Sequence, residues 1–82
     1  MQNIDLIGLT NLEGLDISNN QLQNVDLSSL VKLKKLKIFN NQLLNIDLSN
    51  LINLRELDIY NNPLTIQCKN NIKSLNFECI SI

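Results

Sequence analysis

Asp5, Asp26 and Asp47 stand twenty-one residues apart, and carboxylates repeated at a constant interval are one way to build a metal site. Each of them, however, lies just before a short turn, as in Asp26-Leu-Ser-Ser-Leu, and no other ligand type follows at a metal-binding interval. The role expected of them is to accept backbone N–H groups at the turn, with no metal bound. Cys68 and Cys79 are too few for a disulfide framework, and with no histidine in the chain a zinc site lacks its usual ligands. They are expected to be small buried thiols, the alternative being one disulfide closing the end of the molecule. The missing histidine also removes the usual acid–base group near neutral pH. No nucleophile stands beside a base, and Gly8 and Gly14 are the only glycines, so no phosphate-cradling loop is expected. Neither catalytic residues nor a cofactor are expected, and the chain reads as a non-enzyme.

Any side chains left for contacts must be positioned by a stretch that the chain writes three times: 12–22, 33–43 and 54–64. Apolar residues occupy its first, fourth, sixth and eleventh places: Leu12, Leu15, Ile17, Leu22; Leu33, Leu36, Ile38, Leu43; Leu54, Leu57, Ile59, Leu64. Leu15-Asp-Ile17, Leu36-Lys-Ile38 and Leu57-Asp-Ile59 alternate apolar and polar residues, which predicts strands with one buried face. The connecting halves keep four apolar positions each, as in Val25, Leu27, Leu30 and Leu33, and these spacings predict an extended segment followed by a short turn of helix. Crossovers of this length predict parallel strands about 4.8 Å apart.

Asn20, Asn41 and Asn62 fill the ninth place. They face inward at a bend, where a side-chain amide can satisfy buried backbone N–H and C=O groups. The outward face of the sheet then carries four columns: Gly14, Lys35 and Glu56; Asp16, Lys37 and Asp58; Ser18, Phe39 and Tyr60; Asn19, Asn40 and Asn61. Lys37 between two carboxylates reads either as a solvated charge ladder or as part of a recognition surface. Phe39 and Tyr60 are two of the three aromatic residues, and on a polar surface they read as contact residues or as rings that only pack on each other.

This Leu-x-x-Leu-x-Leu-x-x-Asn-x-Leu pattern resembles that of leucine-rich repeat proteins. The twenty-one-residue length and the Asn-Gln-Leu-x-x-Ile-Asp-Leu-x-x-Leu-x-x-Leu cadence resemble the bacterial short-repeat, internalin-like kind. The resemblance implies an α/β solenoid, a right-handed superhelix with a parallel β-sheet on its concave face and irregular or 3-10 segments on its convex face. It also implies an asparagine ladder at Asn20, Asn41 and Asn62. Partners of such proteins usually dock on the concave face. The function expected is therefore protein–protein recognition through Phe39, Tyr60, Lys35, Lys37, Asp16, Asp58 and Glu56. The alternative is a structural segment that caps the C-terminal end of a longer stack and binds nothing itself.

The expected organisation is a single domain over residues 1–82: a partial repeat at 1–11, repeats at 12–32, 33–53 and 54–71, and a terminal strand at 72–82. In that last strand Ile80 stands where asparagine stood before, and Phe77 plugs the end of the stack. Met1, Gln2 and Asn3 align with Leu22, Gln23 and Asn24, so the chain starts inside a repeat with no cap before it. A fragment of a longer protein is expected, with self-association through the uncapped N-terminal end as a further possibility. A net charge of -1 gives no field toward nucleic acid or an acidic membrane, and the basic cluster Lys32, Lys34, Lys35 and Lys37 is flanked by Glu13, Asp16, Glu56 and Asp58. With neither a signal-peptide pattern nor a membrane-spanning apolar run, a cytoplasmic location is the default unless the parent protein is secreted.

Overall fold

In the computed structural model, which describes residues 4–82, each apolar–polar alternation becomes one short strand. These are β1 (Gly14–Asp16), β2 (Lys35–Lys37), β3 (Glu56–Asp58) and, after helix α1 (Ile66–Ser74), β4 (Cys79–Ser81). They form one parallel sheet in the order β1-β2-β3-β4. Register sets Leu15 against Leu36, Leu36 against Leu57 and Leu57 against Ile80; Leu36 and Leu57 are buried and Leu15 packs against the same core, whereas Ile80 on the last strand is 39% exposed. Met1, Gln2 and Asn3, whose alignment placed the start of the chain inside a repeat, lie outside the described residues.

The connecting halves return the chain without regular helix in the first three units. Leu30 N–H donates to Leu27 O at 3.0 Å and Leu33 N–H to Leu30 O at 3.1 Å. Leu48, Leu51 and Leu54 repeat the same linked turns at 3.0 and 3.1 Å. Two successive three-residue turns aim three leucines at the core from one short segment, which explains why the spacing matches neither a strand nor a long helix. Asp26 Oδ1 accepts the Ser28 N–H at 3.0 Å and the Ser28 hydroxyl at 2.6 Å, and Asp5 and Asp47 accept the N–H groups of Ile7 and Ser49 at 3.0 and 2.9 Å. These carboxylates close the bend that leads into each turn. The Ser28 hydroxyl and N–H hold the Asp26 carboxyl below the ordinary carboxylate range, and the Ser49 side chain and N–H do the same for Asp47.

The core is a single stack of leucines and isoleucines, among which Leu22, Leu30, Leu33, Ile38, Leu43, Leu57 and Ile59 are wholly inaccessible. No single turn of the chain could hide these side chains alone, so burial is gained only as neighbouring turns pile up.

The last unit departs from expectation. The strand read over 72–82 is instead helix α1 followed by β4, and Ile72 is a buried helical residue. Ile80 aligns with Leu57 rather than with an asparagine, so this unit, taken as eighteen residues over 54–71, runs for twenty-three, from Leu54 to the matching Phe77. The cause is local. The Thr65 hydroxyl accepts the Cys68 N–H at 3.1 Å as an N-cap, and Cys68 and Ile72, four apart, bury one helical face. Phe77 is half-buried against the core in the place of Leu54, not of Ile59. The expectation of two buried thiols also fails at one position: Cys68 is buried, but Cys79 is exposed on β4, and both are free.

Candidate functional site

The outward side chains of the four strands form one surface, and strand register decides which of them meet. Lys35 lies between Gly14 and Glu56, Lys37 between Asp16 and Asp58, and β4 extends the two columns with Cys79 and Ser81. Cys79 and Ser81 were missed as face residues because the last strand was set five residues too early. The matching triplet Phe77, Ile80 and Ile82 would have revealed them, since it repeats the spacing of Leu54, Leu57 and Ile59.

Charges on this surface are only partly paired. Lys35 Nζ lies 3.7 Å from Glu56 Oε2, and just off the columns Lys34 Nζ lies 3.1 Å from Glu13 Oε1. Both pairs are well exposed and contribute little, about 0 to 1 kcal/mol each. Lys37 sits between Asp16 and Asp58 with no ion pair to either among the described residues. Asp16 Oδ1 accepts the Ser18 N–H at 3.0 Å, and that bond, more than the nearby Lys37 charge, holds its carboxyl below the ordinary value.

Phe39 and Tyr60 meet ring on ring, with centroids 4.6 Å apart and planes 6° from parallel. That separation is close to one strand spacing, so neighbouring strands stack the two rings without distortion. Phe39 is half-buried and Tyr60 is 38% exposed.

Two columns of asparagine fix the backbone on which these rings stand. In the inner one, Asn41 Nδ2 donates to Ile17 O and Ile38 O at 3.1 and 3.0 Å, while its Oδ1 accepts the Leu22 N–H at 3.1 Å. Asn62 repeats this one turn later, donating to Ile38 O and Ile59 O at 3.0 Å and accepting from Leu43 N–H at 3.1 Å. Asn20 Nδ2 donates to Ile17 O at 2.9 Å. The outer column had no role assigned from sequence. Asn19, Asn40 and Asn61 take φ of 59°, 57° and 57°, the left-handed region that asparagine tolerates better than most residues. Their side chains bond head to tail: Asn40 Nδ2 donates to Asn19 Oδ1 at 2.6 Å and Asn61 Nδ2 to Asn40 Oδ1 at 2.8 Å. The signal that could have found this ladder was the paired asparagine at 19–20, 40–41 and 61–62.

Both columns converge on the aromatic pair. Phe39 O accepts from Asn19 N–H at 3.0 Å and Asn41 Nδ2 at 3.3 Å, and Tyr60 O accepts from Asn40 N–H at 3.1 Å and Asn62 Nδ2 at 3.4 Å. A backbone held in this way carries its side chains in a fixed attitude before any partner arrives. Two of the larger surface depressions lie elsewhere. One of about 410 Å³ is lined by Gln23, Asn24, Gln42, Leu44 and Asn45, and another of about 340 Å³ by residues that include Ile52, Leu75 and Phe77. Among the described residues no group of three or more His, Cys, Asp or Glu side chains could hold a metal ion, and no helix is long and apolar enough to cross a membrane.

Comparison with known proteins agrees with this geometry. The sequence pattern described as Leucine Rich Repeat matches residues 11–33 and 53–80, more than half of the chain. A leucine-rich repeat protein of Leptospira interrogans superposes with a TM-score of 0.80 at 35% identity, covering 90% of this chain and 20% of its own. A chain of the Drosophila melanogaster SNF/U2A' complex superposes with a TM-score of 0.79 at 27% identity, covering 100% of this chain and 52% of its own. This chain thus spans about a fifth of the length of the first of these chains and about half of the second. No curated protein sequence matches it.

Proposed function

Because the chain belongs to the leucine-rich repeat family, we propose that it is a protein-recognition module whose partner docks on the outward face of the sheet. The observation that carries this reading is the stacked Phe39–Tyr60 pair, exposed at Tyr60 and clamped from behind by two asparagine columns. Rigid aromatic rings set in a polar surround are the side chains most often found at binding hot spots. Lys35, Lys37, Asp16, Asp58 and Glu56 lie beside them on the preceding strand positions as charges of both signs, which favours orientation and choice of partner over raw affinity. The SNF/U2A' structure is itself a complex, which fits a binding role for this repeat architecture.

The short-repeat, internalin-like kinship and the view of the chain as a portion of a longer protein are carried into the same reading. The capping alternative is the weaker. A terminal cap turns a polar face outward, whereas β4 and its approach leave Ile80, Ile82 and Leu75 at 39%, 37% and 43% exposure.

The test immobilises the chain and compares three forms for capture of a partner: the wild type, Phe39→Ala with Tyr60→Ala, and Val31→Ala with Ile52→Ala as a control off the face. Circular dichroism and the melting midpoint check that each form is folded. Loss of capture only in the aromatic variant, with amide shifts from the captured protein confined to the strands and the 39–40 and 60–61 bends, supports the reading. Capture equal in all three forms refutes it.

A further inference from the structure

We propose that the depression between the bends at 21–24 and 42–45 holds one pyranose ring of a neutral sugar, its C–H face on Leu44 and its hydroxyls on the surrounding side-chain amides. This site is separate from the Phe39 and Tyr60 surface. The next bend stacks on it from the C-terminal side, where the Thr65 N–H donates to Leu44 O at 3.0 Å and the Thr65 hydroxyl to Asn45 Oδ1 at 3.2 Å. Its opening therefore lies within the stack and does not come from the last residue of the sequence.

All seven basic and eight acidic residues fall outside 18–25, 38–46 and 59–68, the stretches that lead from the strands into the connecting halves. A surface without formal charge suits an uncharged guest. Each side-chain amide nevertheless presents two donors and an acceptor. In the ladders these groups are committed, Asn19, Asn40 and Asn61 to one another and Asn41 and Asn62 to the backbone. Gln42, in contrast, makes no side-chain hydrogen bond among the described residues, and Asn45 only accepts one, so its N–H groups stay available. Between them Leu44 is 55% exposed, the apolar floor that the faces of a sugar ring require. Gln23 and Asn24 form the opposite wall of a space of about 410 Å³, within the range of about 300 to 1,000 Å³ usual for small-molecule sites. Spacing favours a sugar over an extended peptide. Asn24 and Asn45 stand one repeat apart, hence about 5 Å from each other, an interval close to that between alternate equatorial hydroxyls of a pyranose. Groups on one side of an extended peptide recur every second residue, at about 6.6 Å. The Gln42 and Thr65 N–H groups are also already given to Leu22 O and Leu44 O, at 2.9 and 3.0 Å, so side chains rather than backbone must receive the guest.

The test follows the side-chain NH2 signals of Gln42 and Asn45 by NMR while probes are titrated. The neutral probes are the methyl pyranosides of glucose, galactose and mannose, with cellobiose and lactose for rings carried in a chain. N-acetylneuraminic acid serves as the charged sugar and acetyl-Gly-Gly-amide as the peptide. The expected result is a saturable shift with at least one neutral methyl pyranoside, its affinity falling at least about threefold in Gln42→Ala and in Leu44→Ser. Val31→Ala with Ile52→Ala, away from the depression, should leave that affinity unchanged, and circular dichroism checks that each form is folded. No saturable shift with any neutral sugar, tighter binding of the charged sugar or of the peptide, or indifference to both substitutions would each overturn the proposal. A disaccharide held more tightly than its methyl pyranoside upholds it with a glycan chain as the source, and equal affinity upholds it with free sugar. The recognition reading is tested separately, by capture through Phe39 and Tyr60.

Discussion

Replacing Asn41 by alanine should act through one orphaned group rather than four. The Asn41 amide makes four hydrogen bonds, but each carbonyl it serves has a second donor. Ile17 O also receives Asn20 Nδ2 at 2.9 Å, Ile38 O receives Asn62 Nδ2 at 3.0 Å, and Phe39 O receives Asn19 N–H at 3.0 Å. The Leu22 N–H, in contrast, has Asn41 Oδ1 as its only acceptor among the described residues, at 3.1 Å, and Leu22 is wholly inaccessible. Leaving one buried donor without a partner costs about 1 to 3 kcal/mol. In a domain of this size each kcal/mol moves the melting midpoint by about 4 to 8 °C, so a fall of roughly 5 to 20 °C is expected. Amide hydrogen exchange localises the effect. Leu22 should lose protection selectively in Asn41→Ala, and Leu43, whose N–H donates to Asn62 Oδ1 at 3.1 Å, should do so in Asn62→Ala. An unchanged midpoint, or Leu22 and Leu43 responding alike in both variants, would refute the reasoning that each amide serves one orphan.

Asn40 separates the outer ladder from the left-handed turn that carries it. Asn40→Gly and Asn40→Ala both lose the two ladder bonds, but glycine keeps the φ of 57° without strain whereas alanine adds about 1 to 2 kcal/mol of left-handed strain; urea titrations should therefore rank alanine below glycine, and the reverse order would show that the turn imposes no such strain. Acid is expected to weaken the fold through Asp16, Asp26 and Asp47, whose folded-state carboxyls titrate below the ordinary 3.8. A depressed carboxyl stabilises above its unfolded value and loses that contribution as pH falls through the folded one, so urea midpoints should drop on acidification below about pH 4. Asp26→Asn with Asp47→Asn should flatten that drop, and an equally steep profile in the variant would locate the acid sensitivity elsewhere.

The regular part of this molecule was legible because one period governs everything in it. Twenty-one residues separate Leu15, Leu36 and Leu57 in sequence, and the same interval brings them side by side in register. The last unit defeated that reading for a definable reason. Ile72, Leu75 and Phe77 have the same three-then-two spacing as Phe77, Ile80 and Ile82, so the hydrophobic pattern fits two registers five residues apart. What chooses between them is a helix whose start depends on the Thr65 cap and whose buried face rests on Cys68 and Ile72 alone. Neither apolar residue stands out in a segment that otherwise reads Gln-Cys-Lys-Asn-Asn, and the exposure of Cys79 follows from the same shift. The outer asparagine ladder was hidden differently. Its residues could be placed on the outward face from the repeat, but the positive φ that turns one amide toward the next is a property of the folded bend.

That bend also explains how the proposed contact residues can sit on a stack whose other positions are committed to its interior. Adjacent asparagines divide the work: the second of each pair turns inward to backbone groups, and the first turns outward to its counterpart one repeat away. Between them they bond the carbonyls of Phe39 and Tyr60, so the two rings are ordered by contacts lying behind and beside them, not in front. A partner meeting such a surface does not have to supply the ordering of loose aromatic side chains, a cost of about 0.5 to 1.5 kcal/mol for each side chain immobilised. On the proposed function, stability and recognition are therefore linked through the same amides, and the linkage can be read in one experiment. If Asn41→Ala leaves the chain folded at the temperature of the assay, capture of a partner through the proposed surface should persist but weaken relative to the wild type, even though Asn41 makes no hydrogen bond with Tyr60 among the described residues. Affinity equal to wild type would mean that the rings order themselves through their own stacking, and that the ladder contributes to stability alone.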